Sequence, residues 1–214
     1  MKDTKDSSKT TLKSRNFAWL IGTLVFDCLL LLIWAFQTPL DNSLQAKMIL
    51  IRGSLTTALP IPVLFLSSLL SADLKAKLVF WRIKYPLPGS QAFSKYAQAD
   101  HRIDLAALKK NIGEFPISER DQNSKWYGLY KQVQSDTSVV DSHKNYLLFR
   151  DIAAMSLLLV PVVPLVMYLS NVAEKSILIC TSWFLIQFFL AAYAARTNGI
   201  RFVQNVLAVH ASKK

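Results

Sequence analysis

Four long apolar segments constrain this chain more than any other feature of its sequence. They cover residues 17–37, 48–72, 152–170 and 176–195, as two pairs on either side of a mostly polar interior. Each approaches the ~20 residues that an α-helix needs to cross about 30 Å of hydrocarbon. The sequence therefore predicts an all-α polytopic membrane protein, with four transmembrane helices in two hairpins and a small helical domain between helices two and three.

The composition agrees with a membrane protein. Of the 214 residues, 52% are hydrophobic, and the mean hydropathy is positive. The first segment is longer than the apolar core of about 7–15 residues that is typical of a signal peptide, and no small-x-small cleavage pattern follows it. We therefore expect the first segment to remain in the protein as a transmembrane helix.

The distribution of Lys and Arg predicts the orientation in the membrane. Region 73–150 holds thirteen basic and eight acidic residues, and both chain ends are basic. The two short loops inside the hairpins carry one Lys each, and each loop also holds an acid. Cytoplasmic loops of membrane proteins are enriched in Lys and Arg. Both termini and region 73–150 are therefore expected in the cytoplasm.

These expectations divide the chain into five parts. They are a basic cytoplasmic tail (1–16), a first transmembrane hairpin (17–72), a cytoplasmic helical domain (73–150), a second transmembrane hairpin (151–196) and an amphipathic cytoplasmic tail (197–214). Asn198-Gly199 is predicted to break the fourth apolar helix. The tail beyond this break either lies at the membrane interface or packs on the cytoplasmic domain.

Local signals predict the helices around and within region 73–150. Segment two is expected to continue as an amphipathic helix over residues 72–84, until two prolines stop it. Asp104 and Ser118 are typical N-caps of two short helices. Asp136 resembles a third N-cap, and no strong breaker follows it before Pro161. One long helix is therefore predicted from residue 137 to residue 170.

The predicted helix after Ser118 carries an aromatic stripe. Residues at helical spacing more often form a core than a ligand cage, so we expect this stripe to pack on the neighbouring helices. The stripe consists of Trp126, Tyr127, Leu129, Tyr130 and Val133.

Two charged residues fall inside predicted transmembrane segments. Asp27 lies midway along the first segment, where an ionised, lipid-facing carboxylate would cost several kcal/mol. Arg52, near the outer end of the second segment, is the obvious partner if the helices shift or the arginine reaches inward. Otherwise Arg52 extends outward and a protonated Asp27 packs on a neighbouring helix. Both alternatives make Asp27 and Arg52 candidate intramembrane polar residues.

Prolines mark the second and third segments near mid-membrane. Pro60, Pro62, Pro161 and Pro164 each remove a backbone hydrogen bond and are predicted to kink their helices. Kinks in the two segments that flank the cytoplasmic domain would either fit static shapes together or let domain motion alter the bundle. Gly53 and nearby small residues favour close helix packing, which indicates a homo-oligomer.

Catalytic and cofactor signatures are not found in the sequence. It lacks the common phosphate-loop, dinucleotide, zinc-protease and nucleophile-elbow motifs, so we expect no enzyme activity and no cofactor. Cys28 and Cys180 lie inside apolar segments and are expected to serve as small packing residues. The scattered basic residues make nucleic acid an unlikely partner and the anionic bilayer surface the expected one.

The layout resembles the small multi-span membrane proteins of bacterial anti-phage systems of the retron, CBASS and Kiwa types. The Trp-Tyr-x-Leu-Tyr stretch from Trp126 and the His-x-x-Tyr-Leu-Leu-x-Arg-Asp stretch from His143 to Asp151 have the character of a bacterial membrane family. The resemblance implies a multi-pass protein of the bacterial inner membrane that senses infection or disrupts that membrane.

Three functional hypotheses follow. The first is a defence effector or sensor that acts by oligomerisation and conformational change, with a cytoplasmic protein partner on region 73–150. The second is a small transporter or channel subunit. The third is an assembly factor for another membrane complex.

Overall fold

The computed structural model describes residues 12–36, 50, 53–54 and 60–213, and this part of the chain forms helices and no strand. The all-α prediction is therefore confirmed for the described residues. Their α-helices are α1 (Leu12–Ala35), α2 (Pro60–Leu69), α3 (Ala72–Phe80), α4 (Leu105–Ile112), α5 (Glu119–Val133), α6 (Thr137–Leu169) and α7 (Glu174–Ala211). A 3₁₀ turn (Pro88–Gln91) and a π-helical turn (Ala92–Tyr96) lie between α3 and α4.

Helices α6 and α7 form a long hairpin on which the other elements pack. At 1.5 Å per residue, they are about 50 Å and 57 Å long, with 33 and 38 residues respectively. The predicted long helix is confirmed, because α6 begins at Thr137 and its Asp136 N-cap accepts hydrogen bonds from the N–H groups of Ser138 and Val139. The chain turns between Ser170 and Ala173, and Asn171 adopts a positive φ of 50° there.

Three of the described helices are long and apolar enough to cross a membrane. They are α1 over Asn16–Ala35, α6 and α7. The prediction of four such helices is therefore not reproduced in the described residues. Most of residues 48–59 lies outside them, and residues 60–69 of the second segment form α2.

Segment two does not continue as one helix into region 73–150, so this prediction is wrong. Helix α2 ends at Leu69, and Ser71 starts α3 by accepting a hydrogen bond from the Leu74 N–H. Helix α3 then ends at Phe80, where Trp81 adopts a left-handed conformation with φ of 52°. Because a serine oxygen satisfies a free N–H, it favours a new helix start over continuation.

The predicted break at Asn198-Gly199 is also wrong, since α7 continues to Ala211. Asn198 donates a side-chain hydrogen bond to the Ala194 carbonyl, four residues earlier, within the helix. A Cβ on Gly199 would lie 2.9 Å from Phe80 Cζ and 3.0 Å from Tyr146 Cδ2. Gly199 is therefore a site of close packing, and the helix tolerates the glycine because tertiary contacts outweigh its low propensity.

The prolines of α6 lie within an unbroken helix. Pro161 and Pro164 both fall between Thr137 and Leu169. Pro60 and Pro62 lie in α2, whose described part begins at Pro60. The residues just before Pro60 are outside the described part, so a kink at this point stays a prediction.

The C-terminal part of α7 completes the core of a helical domain. We define this domain as residues 72–136 together with residues 196–213. Phe202, Val203, Val206 and Leu207 are buried among the residues of the π-helical turn, α4 and α5. His210 Nε2 lies 3.0 Å from the Leu129 carbonyl oxygen, which joins α7 to α5. The amphipathic tail is thus part of this core.

The aromatic stripe of α5 takes the packing role predicted for it. Trp126, Leu129 and Val133 are buried in the core of the helical domain, whereas Tyr127 is half exposed. The predicted N-caps Asp104 and Ser118 are confirmed, since Asp104 accepts hydrogen bonds from two N–H groups of the following turn and Ser118 accepts one from the N–H of Asp121.

Candidate functional site

A buried cluster of charges lies where the helical domain meets the apolar parts of α6 and α7. The Lys75 Nζ atom is 2.9 Å from Asp151 Oδ1, and the Arg150 Nη2 atom is 3.1 Å from the same oxygen. The three side chains are between 8% and 15% exposed. We call Lys75, Arg150 and Asp151 the ion-pair cluster. With two cations and one carboxylate, the ion-pair cluster carries one excess positive charge.

Local structure explains why these charges meet. The Ser71 cap starts α3 so that Lys75 lies one turn into this helix, and α3 packs against both α6 and α7. Arg150 and Asp151 are the last charged residues of α6 before its apolar stretch of residues 152–169. The cluster therefore joins the helical domain to the point at which α6 becomes apolar.

A polar cavity of about 250 Å³ opens beside the ion-pair cluster. Asn16 closes one side, and its Nδ2 atom donates a hydrogen bond of 2.8 Å to the Lys144 carbonyl of α6. The Asn16 residue is only 2% exposed, yet its Oδ1 atom has no hydrogen-bond partner. The cavity is lined by Asn16, Leu20, Ser68, Leu70, Ala72, Lys75, Leu147, Arg150 and Asp151.

An aromatic cavity of about 260 Å³ lies on the domain side of the same cluster. The Phe202 ring stacks on His143 at a centroid distance of 4.3 Å and meets Trp126 edge-on at 5.0 Å. Two buried polar atoms of this cavity have no hydrogen-bond partner, Trp126 Nε1 and Tyr146 Oη. Arg150 lines this cavity as well as the polar cavity. Ala72 and Leu147 also line both cavities, so the two cavities adjoin at these three residues.

Asp27 is buried in the apolar bundle and faces α7. Its residue is 4% exposed, and its Oδ2 atom accepts a hydrogen bond of 3.3 Å from Gln187 Nε2. Asp27 Oδ1, Gln187 Oε1 and the nearby Trp183 Nε1 are buried without a hydrogen-bond partner. Arg52 lies outside the described residues, so its pairing with Asp27 stays a prediction.

Sequence reasoning missed the ion-pair cluster. Lys75 and Asp151 are 76 residues apart, a separation at which helical periodicity carries no information. One signal was present, because Asp151 is an acid directly before a predicted transmembrane segment, where the positive-inside rule favours cations. None of the predicted polar and proline sites within the described residues belongs to the ion-pair cluster. Among the described residues, no group of three His, Cys, Asp or Glu side chains could hold a metal ion.

The comparisons with known proteins give no further assignment. No protein-family model, curated protein or solved structure matches this chain. The fold and site therefore define only a class, an all-helical protein with three candidate membrane-spanning helices and a helical domain joined to them by a buried ion-pair cluster.

Proposed function

We propose that this chain is a multi-span protein of the bacterial inner membrane that transmits a signal from a cytoplasmic helical domain to its transmembrane helices. In this proposal residues 48–72 supply a fourth span, and both termini lie in the cytoplasm with the basic helical domain. The protein acts as an infection sensor or as a membrane-disrupting effector of an anti-phage system. It works by oligomerisation and conformational change, without catalysis.

The continuity of α6 and α7 is the observation that carries this proposal. Helix α7 runs from the helical domain into the apolar bundle without a break, and α6, whose Val139 is buried in the domain core, also continues unbroken into the bundle. Packed interiors are poorly compressible, so a displacement of the domain core moves the helices that run through it. A partner that binds the domain better in one arrangement would thereby shift the membrane helices as well.

The ion-pair cluster supplies a second link between domain and membrane. Lys75 belongs to the domain, whereas Asp151 lies at the start of the apolar stretch of α6. Because a buried charge needs its partner, the cluster favours arrangements in which α3 and α6 stay together. A signal that separates α3 from α6 must overcome the free-energy cost of unpaired buried charges. The cluster therefore holds the two helices together until such a signal arrives.

The test is membrane potential in bacteria that express the protein. A voltage-sensitive dye would report depolarisation after phage infection. The bacteria would also carry the genes that lie next to the gene for this protein. The coupling variant is Lys75→Gln with Asp151→Asn, and the matched control on the same helix is Lys77→Gln with Asp73→Asn, an exposed pair. We expect depolarisation in the wild type and in the control variant. The coupling variant should fail to depolarise the membrane, although it is present there in equal amount. A constant potential in the wild type contradicts the effector role.

The buried polar atoms around Asp27 favour a second candidate, a small transporter or channel subunit. Ionisable residues within transmembrane helices often mark ion or proton paths. Proton flux into liposomes, followed by an internal pH-sensitive dye, tests this function. Asp27→Asn should abolish flux that the wild type shows, and equal flux in both would remove Asp27 from any such path.

A further inference from the structure

The polar cavity combines excess charge, free donors and a buried acceptor. We propose that it binds the phosphate of an anionic phospholipid headgroup. This inference goes beyond the proposed function, since a lipid can occupy the cavity whether or not the protein transmits a signal.

The charges of the cavity favour an anion. Lys75 and Arg150 both donate to a single atom, Asp151 Oδ1, through bonds of 2.9 Å from Nζ and 3.1 Å from Nη2. A lysine ammonium has three N–H donors and an arginine guanidinium five, so each cation keeps donors that Asp151 does not use. A phosphate oxygen would accept from these donors and balance the excess positive charge.

The unpaired acceptor of Asn16 points to the rest of the headgroup. A buried amide oxygen without a donor loses roughly 1–3 kcal/mol of interaction that water would have supplied. Asn16 Oδ1 is such an atom, and Asn16 lines the same cavity as the two cations. A glycerol headgroup carries hydroxyl donors beside its phosphate. Phosphatidylglycerol therefore matches both the cations and the free acceptor.

The cavity also lies at the level of lipid headgroups. Asn16 is the first residue of the apolar span of α1, Leu70 follows the apolar α2, and Asp151 directly precedes the apolar stretch of α6. Its volume of about 250 Å³ equals that of roughly eight water molecules at ~30 Å³ each. Basic pockets between transmembrane helices at this side of a membrane commonly hold anionic headgroups.

Native mass spectrometry of the full-length protein tests this binding. The purified protein would be titrated with phosphatidylglycerol and, separately, with phosphatidylcholine. Arg150→Gln should weaken phosphatidylglycerol binding about fivefold, the effect of one basic residue near an anionic headgroup. It should leave phosphatidylcholine binding unchanged. Arg102→Gln is the matched control, because Arg102 also donates to a neighbouring carboxylate, Asp100, but does not line the cavity.

A second variant tests the cavity without altering a charge. Ser68→Leu adds apolar bulk to the cavity wall and should lower phosphatidylglycerol binding at least as much as Arg150→Gln. If Arg150→Gln fails to fold, Ser68→Leu still tests whether phosphatidylglycerol occupies the polar cavity. Equal phosphatidylglycerol binding by wild type and Ser68→Leu overturns the proposal, as does an equal loss in Arg102→Gln.

A competition experiment identifies the source of the phosphate. Inorganic phosphate and glycerol phosphate, at millimolar concentration, should fail to displace phosphatidylglycerol, because neither carries acyl chains that bury apolar surface beside α1 and α2. Displacement by inorganic phosphate would overturn the lipid assignment in favour of a soluble anion.

Discussion

The middle of the apolar bundle and its polar end each bury one aspartate, and they do so in different ways. In the bundle, Asp27 receives one long hydrogen bond from an uncharged amide, Gln187. At the polar end, Asp151 receives hydrogen bonds from two cations. Burial of a charge is costly unless ion pairing and hydrogen bonds compensate it. The contrast indicates that the polar end stabilises an ionised carboxylate with counter-ions. The middle of the bundle offers its carboxyl group only an uncharged partner.

Removal of the charge at Asp151 should have the largest effect. Asp151→Asn leaves the ammonium of Lys75 and the guanidinium of Arg150 facing each other without a carboxylate. We expect it to lower the free energy of unfolding by about 3–5 kcal/mol, the usual cost of breaking a buried ion pair. Tryptophan fluorescence during denaturation in detergent micelles would measure the change.

The control for this change is Asp73→Asn, which removes the carboxylate of the exposed pair with Lys77 on α3. Exposed pairs contribute at most about 1 kcal/mol. Equal losses for Asp151→Asn and Asp73→Asn would show that the polar end does not depend on its buried charges.

Substitution of one glycine in α7 and one in α5 should give the next largest difference in the free energy of unfolding. Gly199→Ala places a Cβ against Phe80 and Tyr146 at the polar end, and should lower the free energy of unfolding by about 1–3 kcal/mol, as overpacking does. A Cβ added to Gly128 would instead meet no neighbouring side chain within 4 Å. Gly128→Ala should therefore raise the free energy of unfolding by about 0.5–1 kcal/mol through helix propensity. Thermal unfolding of both variants would check the opposite signs.

The partly exposed cap Asp136 provides a reference for a carboxylate that water still reaches. Asp136→Ala should lower the free energy of unfolding by about 1 kcal/mol, because α6 loses its N-cap. The side-chain hydrogen bond from Ser138 keeps the pKa of Asp136 below its usual value. The stabilisation is therefore present above the unfolded pKa of about 4 and disappears as pH falls below this value through the lower folded pKa.

A pH titration of stability in wild type and Asp136→Ala would measure this effect. The difference between the two proteins should be constant at neutral pH and shrink below about pH 4. A difference that grows with acidification would contradict the assigned direction.

The smallest effect is expected at Asp27. Asp27→Asn removes the carboxylate charge and keeps an oxygen that can accept from Gln187 Nε2. The free energy of unfolding should change by less than about 1 kcal/mol, the worth of a typical hydrogen bond. Denaturation under the same conditions as for Asp151→Asn would compare the two carboxylates directly, and a loss as large as that of Asp151→Asn would remove the contrast.

The local features of the fold were predictable, because they depend on neighbouring residues. The caps Asp104, Ser118 and Asp136, and the long helix that follows Asp136, needed only short-range signals. The errors at Ser71 and Gly199 arose where one local signal competed with another or with tertiary packing. A serine can continue a helix or cap one, and a glycine can end a helix or admit a close neighbour.

The candidate site was largely beyond sequence reasoning. The Lys75–Asp151 contact joins residues 76 positions apart, and Asn16 bonds a carbonyl 128 positions away. No local pattern encodes these pairings, since they arise only when α1, α3 and α6 assemble. Asp27 was found because a charge within an apolar segment is unusual by itself, although its partner Gln187 was not.

The use of the end of α7 as domain core also has a consequence for biosynthesis. Val203 is made seventy residues after Val133, with which it shares the domain core. At about 5–20 residues per second, the ribosome needs roughly 4 to 14 seconds for this distance. The apolar faces of α4 and α5 lack this partner for that time, during which α6 and most of α7 are made. The nascent chain therefore exposes these apolar faces to chaperones and proteases until residues 202–207 have been made.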